Sequence, residues 1–556
     1  MIKTLFTRAR ASRGMAMLTV LAMLVVMLML VGALLSGMSE ELRGVGHTSF
    51  DNRALYVADS GIQDLTEHIE EAAKGGYLPA YNPPAHMLPA ESDGSQAYYQ
   101  AKIVDTKVVN GRRYYLIDSV GHAPQGGQRH IMAELEQKAF NQYDYLGKNN
   151  SPGNYFVAGL MSFNGPVYIE GKTDPVNLQW YNGVPPPALF QDDLEVSGNY
   201  QWYGPGGVQG VAPTTSAQWN IVDGKGQPGV TFAAADAVPF PPEAQNIQIA
   251  NQAFKGSTGG TMPAPAGGNG VYMNGGVAAQ GSGSVSSGIY VQGNADVSLS
   301  ASADGKKQTF TFTPDGDPAK TIPQPVSVVV DFALNQTKVT QGTGVGAIST
   351  TYSGVPNGAP TGGTGPNGAL YVNGDVLSLS GTVSGQYTLA VPDFGNAGTP
   401  TRRDVHVTGD IRMRSDPQTC NCSSNDLLGI IGNNIVIQVP PQGAQKIDRT
   451  IEAALFAGNK TETTNGEADG TYETQYGSGG GVCGSNVPLQ GNLLVYGSTV
   501  NNYISPLGCF DPGSGQLVHG FADSYSFDNR FRSMSPPFFP AEYHYAIVAW
   551  KDLGIN

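Results

Sequence analysis

Catalytic signatures are missing from this sequence. It contains no G-x-S-x-G, no H-E-x-x-H and no Walker loop, so the common local frames for acyl transfer, zinc hydrolysis and phosphate transfer have no candidate. Charge is scarce as well. Only 14% of residues are Asp, Glu, Lys or Arg, and the formal net charge is −14. No basic patch stands outside the first residues, which argues against nucleic acid as a partner. Cysteine is limited to four in 556 residues, which fits an oxidising exterior without forming a disulfide scaffold. The acidic pairs Asp192 with Asp193 and Asp315 with Asp317 read as solvated loop charges. "TPDGDPAKT" (313–321) has calcium-friendly oxygens but lacks the EF-hand order that ends in a bidentate Glu. His122 and His130 have no third ligand nearby. No cofactor and no metal is expected, and the chain reads as a non-enzyme.

What stands out instead is one long apolar run. Met15 to Ser36 is 22 residues without a charge, and about 20 apolar residues cross a bilayer as a helix. A secretory signal is shorter and ends in a small-residue cleavage site. No A-x-A follows here, and no cysteine nearby offers a lipoprotein anchor. Lys3, Arg8, Arg10 and Arg13 precede the run, and Glu40 and Glu41 follow it. Positive residues stay cytoplasmic, so the bulk of the chain is expected outside the inner membrane.

Arg13-Gly14 before Met15 resembles the processing site of a type IV prepilin, in which a dedicated peptidase cuts after the Gly and leaves the apolar helix in place. "SEELRGVGHTSFDNRALYVADSGIQDLTEHI" (39–69) resembles the N-terminal region of PilX-like minor pilins. It carries their A-x-[FY]-x-A-[ED]-[AS]-G-[IL] segment as Ala54, Tyr56, Ala58, Asp59, Ser60, Gly61 and Ile62. Leu55, Ala58, Ile62, Leu65 and Ile69 recur at helical spacing, so one apolar stripe continues down the helix. The resemblance implies cleavage between Gly14 and Met15, and packing of Thr19, Leu55, Ala58, Ile62 and Leu65 in a filament. Major pilins carry Glu at the fifth mature position, which here is Thr19. That departure argues against a shaft subunit.

The 74 Gly and 37 Pro favour turn-rich β structure. After a loop over 76–94, alternating runs predict an antiparallel meander at 97–109, 112–122 and 128–137, with Asn110-Gly111 as a hairpin turn. From about 155 to 500 a short phrase recurs: "GPVYIEG" (165–171), "NGVYMNGG" (269–276), "GIYVQGN" (288–294), "GALYVNGD" (368–375), "DVHVTGD" (404–410), "GNNIVIQV" (432–439) and "GNLLVYGS" (491–498). Gly275 to Gly293 is 18 residues and Gly374 to Gly409 is 35, spacings that suit one and two coils of a parallel β-helix. A β-sandwich is the alternative. Residues 173–250 and 303–365 are expected as loops thrown from the stack. The aromatics of "FQDDLEVSGNYQWYGPGG" (190–207) suit either sugar binding or packing under a loop.

"SPPFFPAEYHYAIVAWKDL" (535–553) predicts a strand packed on both faces. Its ending, [FY]P and a strand closing in W-[KR]-[DE], resembles the C-terminus of envelope proteins that begin with a PilX-like helix. Four cysteines allow three pairings. Cys483 with Cys509 is one, and two longer bonds from Cys420 and Cys422 are the other, either of which would staple the C-terminal end of the stack.

The expected organisation is a leader over 1–14, a transmembrane and amphipathic helix over 15–75, and a meander over 76–140. A Gly-rich β-solenoid over 155–500 and a C-terminal β cap over 501–556 follow. The resemblance implies a minor pilin at the tip of a pilus or in assembly initiation. Its partners would be the inner membrane, prepilin peptidase, other pilins, and a surface or host ligand. A tethered adhesin outside any pilus, and a polysaccharide-active enzyme on a β-helix, are the other readings.

Overall fold

The computed structural model describes residues 2–73, 81–90, 94–109, 111–148, 153–182, 187–224, 230–231, 238, 240, 243–257, 261–315, 317, 319–356, 368–392, 403–418, 425–441, 443–458, 470–476, 481–484, 486–511 and 513–554. It opens with α1 (Ile2–Ala73), an unbroken helix of 72 residues. No proline interrupts that span, and Leu, Met and Ala, all strong helix formers, dominate its first half.

The second half of α1 lies on an antiparallel sheet of five strands in the order β1 (His86–Met87), β2 (Tyr98–Val109), β3 (Arg112–His122), β4 (Gln128–Ala139) and β5 (Ala541–Gly554). Val109 pairs with Arg112, which leaves a two-residue turn, and Gly111 takes the positive φ of 81° that such a turn requires. Ala58, Ile62, Leu65 and Ile69 of α1 bury against Tyr115, Ile117, Ile131 and Leu135 of the sheet. The approach is close because the residues in contact are small. A Cβ on Gly121 would fall within the backbone of Ala54 and Ala58, and one on Gly61 would strike Ser119 and Tyr99. Ser119 donates its hydroxyl to the Ala58 carbonyl at 2.7 Å.

β5 joins this sheet from the far end of the chain, pairing antiparallel with β4 (Ile547 with Leu135, Trp550 with Ala133). Part of the expected C-terminal cap is therefore the closing strand of the N-terminal sheet. Nor is it packed on both faces. Tyr543 and Tyr545 are buried beside α1, but Ile547, Val548 and Trp550 are 49%, 48% and 46% exposed, because β5 is an edge.

Residues 140–540 are thus inserted between β4 and β5. Parallel pairing dominates this region. "GIYVQG" lies beside "ALYVNG" residue for residue, with Ile289 opposite Leu370 and Gln292 opposite Asn373. The ladder continues through Gln386–Ala390, Leu427–Gly432, Arg449–Ala457 and Leu489–Asn501. A second ladder runs beside it through Ala295–Ala301, Val376–Val383 and Val405–Met413 and onward to Leu517–Phe527. A third joins Val405–Met413 to Ile435–Ile437, Thr471–Thr474 and Tyr503–Ile504. The closing glycines stack on one another: Gly293 has φ of 99°, and a Cβ on Gly374 would overlap its backbone. Leu, Ile, Val and aromatic side chains from all three ladders fill one continuous core.

The order of strands in the ladders is not the order of the chain. Tyr145 pairs with Thr499 and Leu146 with Val500, so the region begins in its own middle. From Tyr145–Lys148 the chain steps outward through Val167–Gln179 and Leu194–Gly204 to Val230–Thr231. The helix α2 (Ser216–Val222), with a capping box at Thr215 and Gln218, follows Leu194–Gly204. The helix α3 (Glu243–Lys255) then packs on Ile289–Gln292 and Ala369–Asn373. From there the parallel strands return one pairing after another to the starting point. Two expectations of loops are corrected by this. Within 173–250 the chain forms ladder strands and two helices. Within 303–365, Lys307–Thr313, Val326–Asp331, Gln336–Gln341 and Ile348–Ser353 form an antiparallel meander. Their Val, Thr and Phe alternation is strand-forming, and it outweighs the Gly and Pro between the strands.

Candidate functional site

Three features have the geometry to act on something outside the chain. The first is α1 itself. Val20–Met38 has mean hydropathy 2.6, is long and apolar enough to cross a membrane, and is not covered by any part of the molecule. Gly14, Met15 and Thr19 lie in the helix ahead of it. The expected filament-packing residues divide. Leu55 is half-buried, whereas Ala58, Ile62 and Leu65 face their own sheet and are at most 1% exposed. The stripe read as an intermolecular surface is there an intramolecular core, since a helix lying on a sheet uses its small and apolar face for that sheet. Tyr56 points the other way and is 72% exposed.

The second feature is the free edge of β5, where Ile547, Val548 and Trp550 stand open. An unpaired edge offers backbone donors and acceptors to another chain.

The third is a cavity of about 270 Å³ where Tyr145 and residues 153–161 meet residues 504–510 and 517–525. It is lined by Tyr145, Asp523 and Tyr525, which are buried, and by Tyr155, Leu160 and Phe510, which are half-buried. The Cys483–Cys509 disulfide, with Cα atoms 5.1 Å apart, borders it. That bond excludes the pairing of Cys420 and Cys422 with the later two, and both of those residues lie outside the described ones. It also sits at the internal seam rather than at an end of the stack, because Tyr145–Lys148 covers the strand between the two cysteines.

Two buried carboxyls flank the same seam. Desolvation raises Asp523 to about 7 against a hydrogen bond with Tyr525. Desolvation likewise raises Asp144 to about 7, although its Oδ2 accepts the amides of Asn164 and Gly165 at 3.0 Å each. Neither was singled out in the sequence. The signal was the alternation of "FADSYSF": Phe521, Asp523, Tyr525 and Phe527 are buried while Ala522, Ser524 and Ser526 are half-exposed. An Asp in the buried phase of a strand is the anomaly.

The remaining candidates have ordinary partners. His130 Nε2 meets Asp118, and His122 stacks on Tyr98 at 4.3 Å. Asp315 accepts the amide of Asp317 at 3.0 Å, and Asp317 pairs with Lys320 at 3.4 Å. Among the described residues no group of three or more His, Cys, Asp or Glu is placed to hold a metal ion. Trp202 packs edge-on against Trp219 of α2, centroids 5.5 Å apart, and Tyr200 remains 40% exposed.

No family model matches this chain, and no curated protein matches it. Among solved structures, the crystal structure of the competence-associated pilin ComZ from Thermus thermophilus aligns with 91% of this chain and 98% of that chain. The sequence identity is 10% and the TM-score 0.27. A likeness of that size leaves function to be argued from the residues.

Proposed function

We propose that this chain is a PilX-like minor pilin of a type IV pilus or related secretion filament, acting at the tip or in assembly initiation. In this reading prepilin peptidase removes residues 1–14, the helix from Met15 spans the inner membrane before assembly, and other pilins cover it afterwards. The three parallel ladders form a β-solenoid that projects outward for adhesion or partner binding.

One observation carries the reading. A single unbroken helix leaves Val20–Met38 wholly uncovered while its continuation from Ala54 to Ile69 is sunk into the sheet of its own chain. A simple anchor needs only the uncovered part and gains nothing from rigid continuity. A subunit passed from bilayer to filament needs both, because the helix must hold its own folded head while neighbours replace lipid. The exposed edge of β5 adds apolar surface for such a neighbour. The bulk of residues 140–540 suits an end of a filament better than its packed side. Thr19, which has no charge to pair with a neighbour's terminal amine, agrees with that place.

Mass spectrometry of the membrane form tests the reading. The expected chain starts at Met15, and Gly14→Leu blocks the cut without preventing insertion. An intact Met1 terminus in a strain with active peptidase would favour a tethered adhesin instead.

A further inference from the structure

Asp523 occupies a position built for an apolar side chain. The register places it beside Leu493 of the paired strand, and its strand neighbours at buried positions are Phe521 and Tyr525. A carboxylate in such a wall costs several kcal/mol unless it is paired. Among the described residues no Lys, Arg or His pairs with Asp523, and its carboxyl lines the cavity rather than a packed core. Around it stand aromatic rings. Tyr145 lies 5.1 Å from Tyr525 and 6.0 Å from Phe156, centroid to centroid and edge-on in both cases, and one face of Tyr525 is stacked on Phe163 at 4.8 Å, which leaves its other face for a ligand. Ring faces attract cations, most strongly where water is excluded. Tyr155 and Phe510 of its lining are half-buried, which connects the cavity to the surface.

We propose that this cavity binds an organic ammonium group, with Asp523 as its counter-ion and Tyr145, Phe156 and Tyr525 as its aromatic walls. A divalent metal would need six or more oxygen ligands in the case of calcium, and this wall offers one carboxylate. An anion would meet Asp523 directly. A neutral apolar ligand would leave the carboxyl unused. A volume of about 270 Å³ lies just below the usual range for drug-sized ligands and suits a small amine or the head of a longer one.

The titration of the site agrees with this geometry. The phenols of Tyr145, Tyr472 and Tyr525, which surround Asp523, are all pushed upward by burial and stay neutral. Asp523 is the group among them that changes charge near neutrality. A bound cation favours its ionised form, so binding at pH 7 expels protons.

The test uses the full chain in maltoside micelles and two probes of one shape: choline and its uncharged isostere 3,3-dimethylbutan-1-ol. Calorimetry at pH 8 should show one saturable choline site per chain and at least tenfold weaker binding of the alcohol. Asp523→Asn should weaken choline at least tenfold and leave the alcohol unchanged. Should that variant fail to fold, titration of the unaltered chain with choline at pH 7 in phosphate and in Tris should differ in heat by the protons released. Equal affinity for the two probes, no saturable binding, choline binding untouched by Asp523→Asn, or identical heats in the two buffers would each overturn the assignment. The outcome does not depend on whether the chain begins at Met1 or Met15, so it stands or falls apart from the pilin reading.

Discussion

In the unit of α1 and the small sheet, most neighbours in space are close in sequence: β2 meets β3 across two residues, and β3 meets β4 across a short turn. In the parallel region Tyr145 lies beside Thr499 and Ser162 beside Ser524. Yet both units bury their glycines at places of closest approach, Gly121 under α1 and Gly374 on Gly293. The difference lies in what a disturbance can reach. A local sheet can lose its helix without altering any ladder pairing. In a parallel ladder an inner strand such as Leu427–Gly432 or Arg449–Ala457 pairs with a strand on either side, so damage passes along the ladder.

The largest expected effect separates the two directly. Gly121→Val drives a side chain into the backbone of Ala54 and Ala58 and should destabilise the α1–sheet unit by about 3 kcal/mol or more. Limited proteolysis should then cut within 98–139 while the parallel strands resist. Simultaneous loss of both regions would show that they fold as one.

Cys483→Ser with Cys509→Ser should act on the other side of the comparison. The bond closes a sequence separation of 26 residues, which on the chain-entropy model corresponds to roughly 3–4 kcal/mol. Protease sensitivity should appear first at 486–511, at the seam, with the strands Ala369–Asn373 and Gln386–Ala390 protected until later.

The next effect is pH-dependent. Asp144 and Asp523 move from an ordinary 3.8 to about 7 in the folded chain. Between those values the folded state holds protons that the unfolded state has released. Stability therefore falls as pH rises from about 4 through 7 and levels off above. Asp523→Asn should remove part of this slope in denaturant titrations at pH 5, 6, 7 and 8, the rest belonging to Asp144 and to other carboxyls raised by burial such as Asp404 and Glu452, and should raise stability most at pH 8. The α1–sheet unit carries one such carboxyl of its own, Glu542 of β5, also raised by burial, so its stability should fall with pH in the same direction.

The smallest effect gives a baseline. Lys306 pairs with Asp304 at 3.6 Å on an exposed turn of the meander. Lys306→Ala should leave the melting midpoint essentially unchanged, because solvent screens an exposed ion pair.

The legible parts of this fold were those with local signals. Asn110-Gly111 between alternating runs marks β2 and β3 within a residue or two. The repeated strand phrases mark segments that do pair with each other. What stayed hidden depends on distance along the chain. Nothing in "AEYHYAIVAW" says that it returns to β4, since an edge strand and a buried one can share the same alternation. Nothing in "YDYLGK" says that its partner is "STVN". The apolar stripe from Ala54 to Ile69 was correctly periodic, but period gives a buried face without saying what buries it. The cavity was hidden for the same reason: Tyr145, Phe156 and Asp523 come together only because the first parallel strands lie against the last.

The inserted region leaves the small sheet at Phe140 and rejoins it at Pro540, whose carbonyl accepts the Phe140 amide at 3.3 Å. Nearby, Asn141 donates to the Met534 carbonyl at 2.8 Å and Arg112 to the Phe531 carbonyl. Both strands of the chain thus pass through one narrow neck. A pull on the inserted region reaches α1 through that neck and through two flanking ties to β5, Gln245 to Ala541 and Tyr543 to the Phe240 carbonyl. A body held this way behaves as a head on a stalk. A force applied to it would tilt or turn it as a unit, and would stretch its own stacking only between the point of loading and the neck.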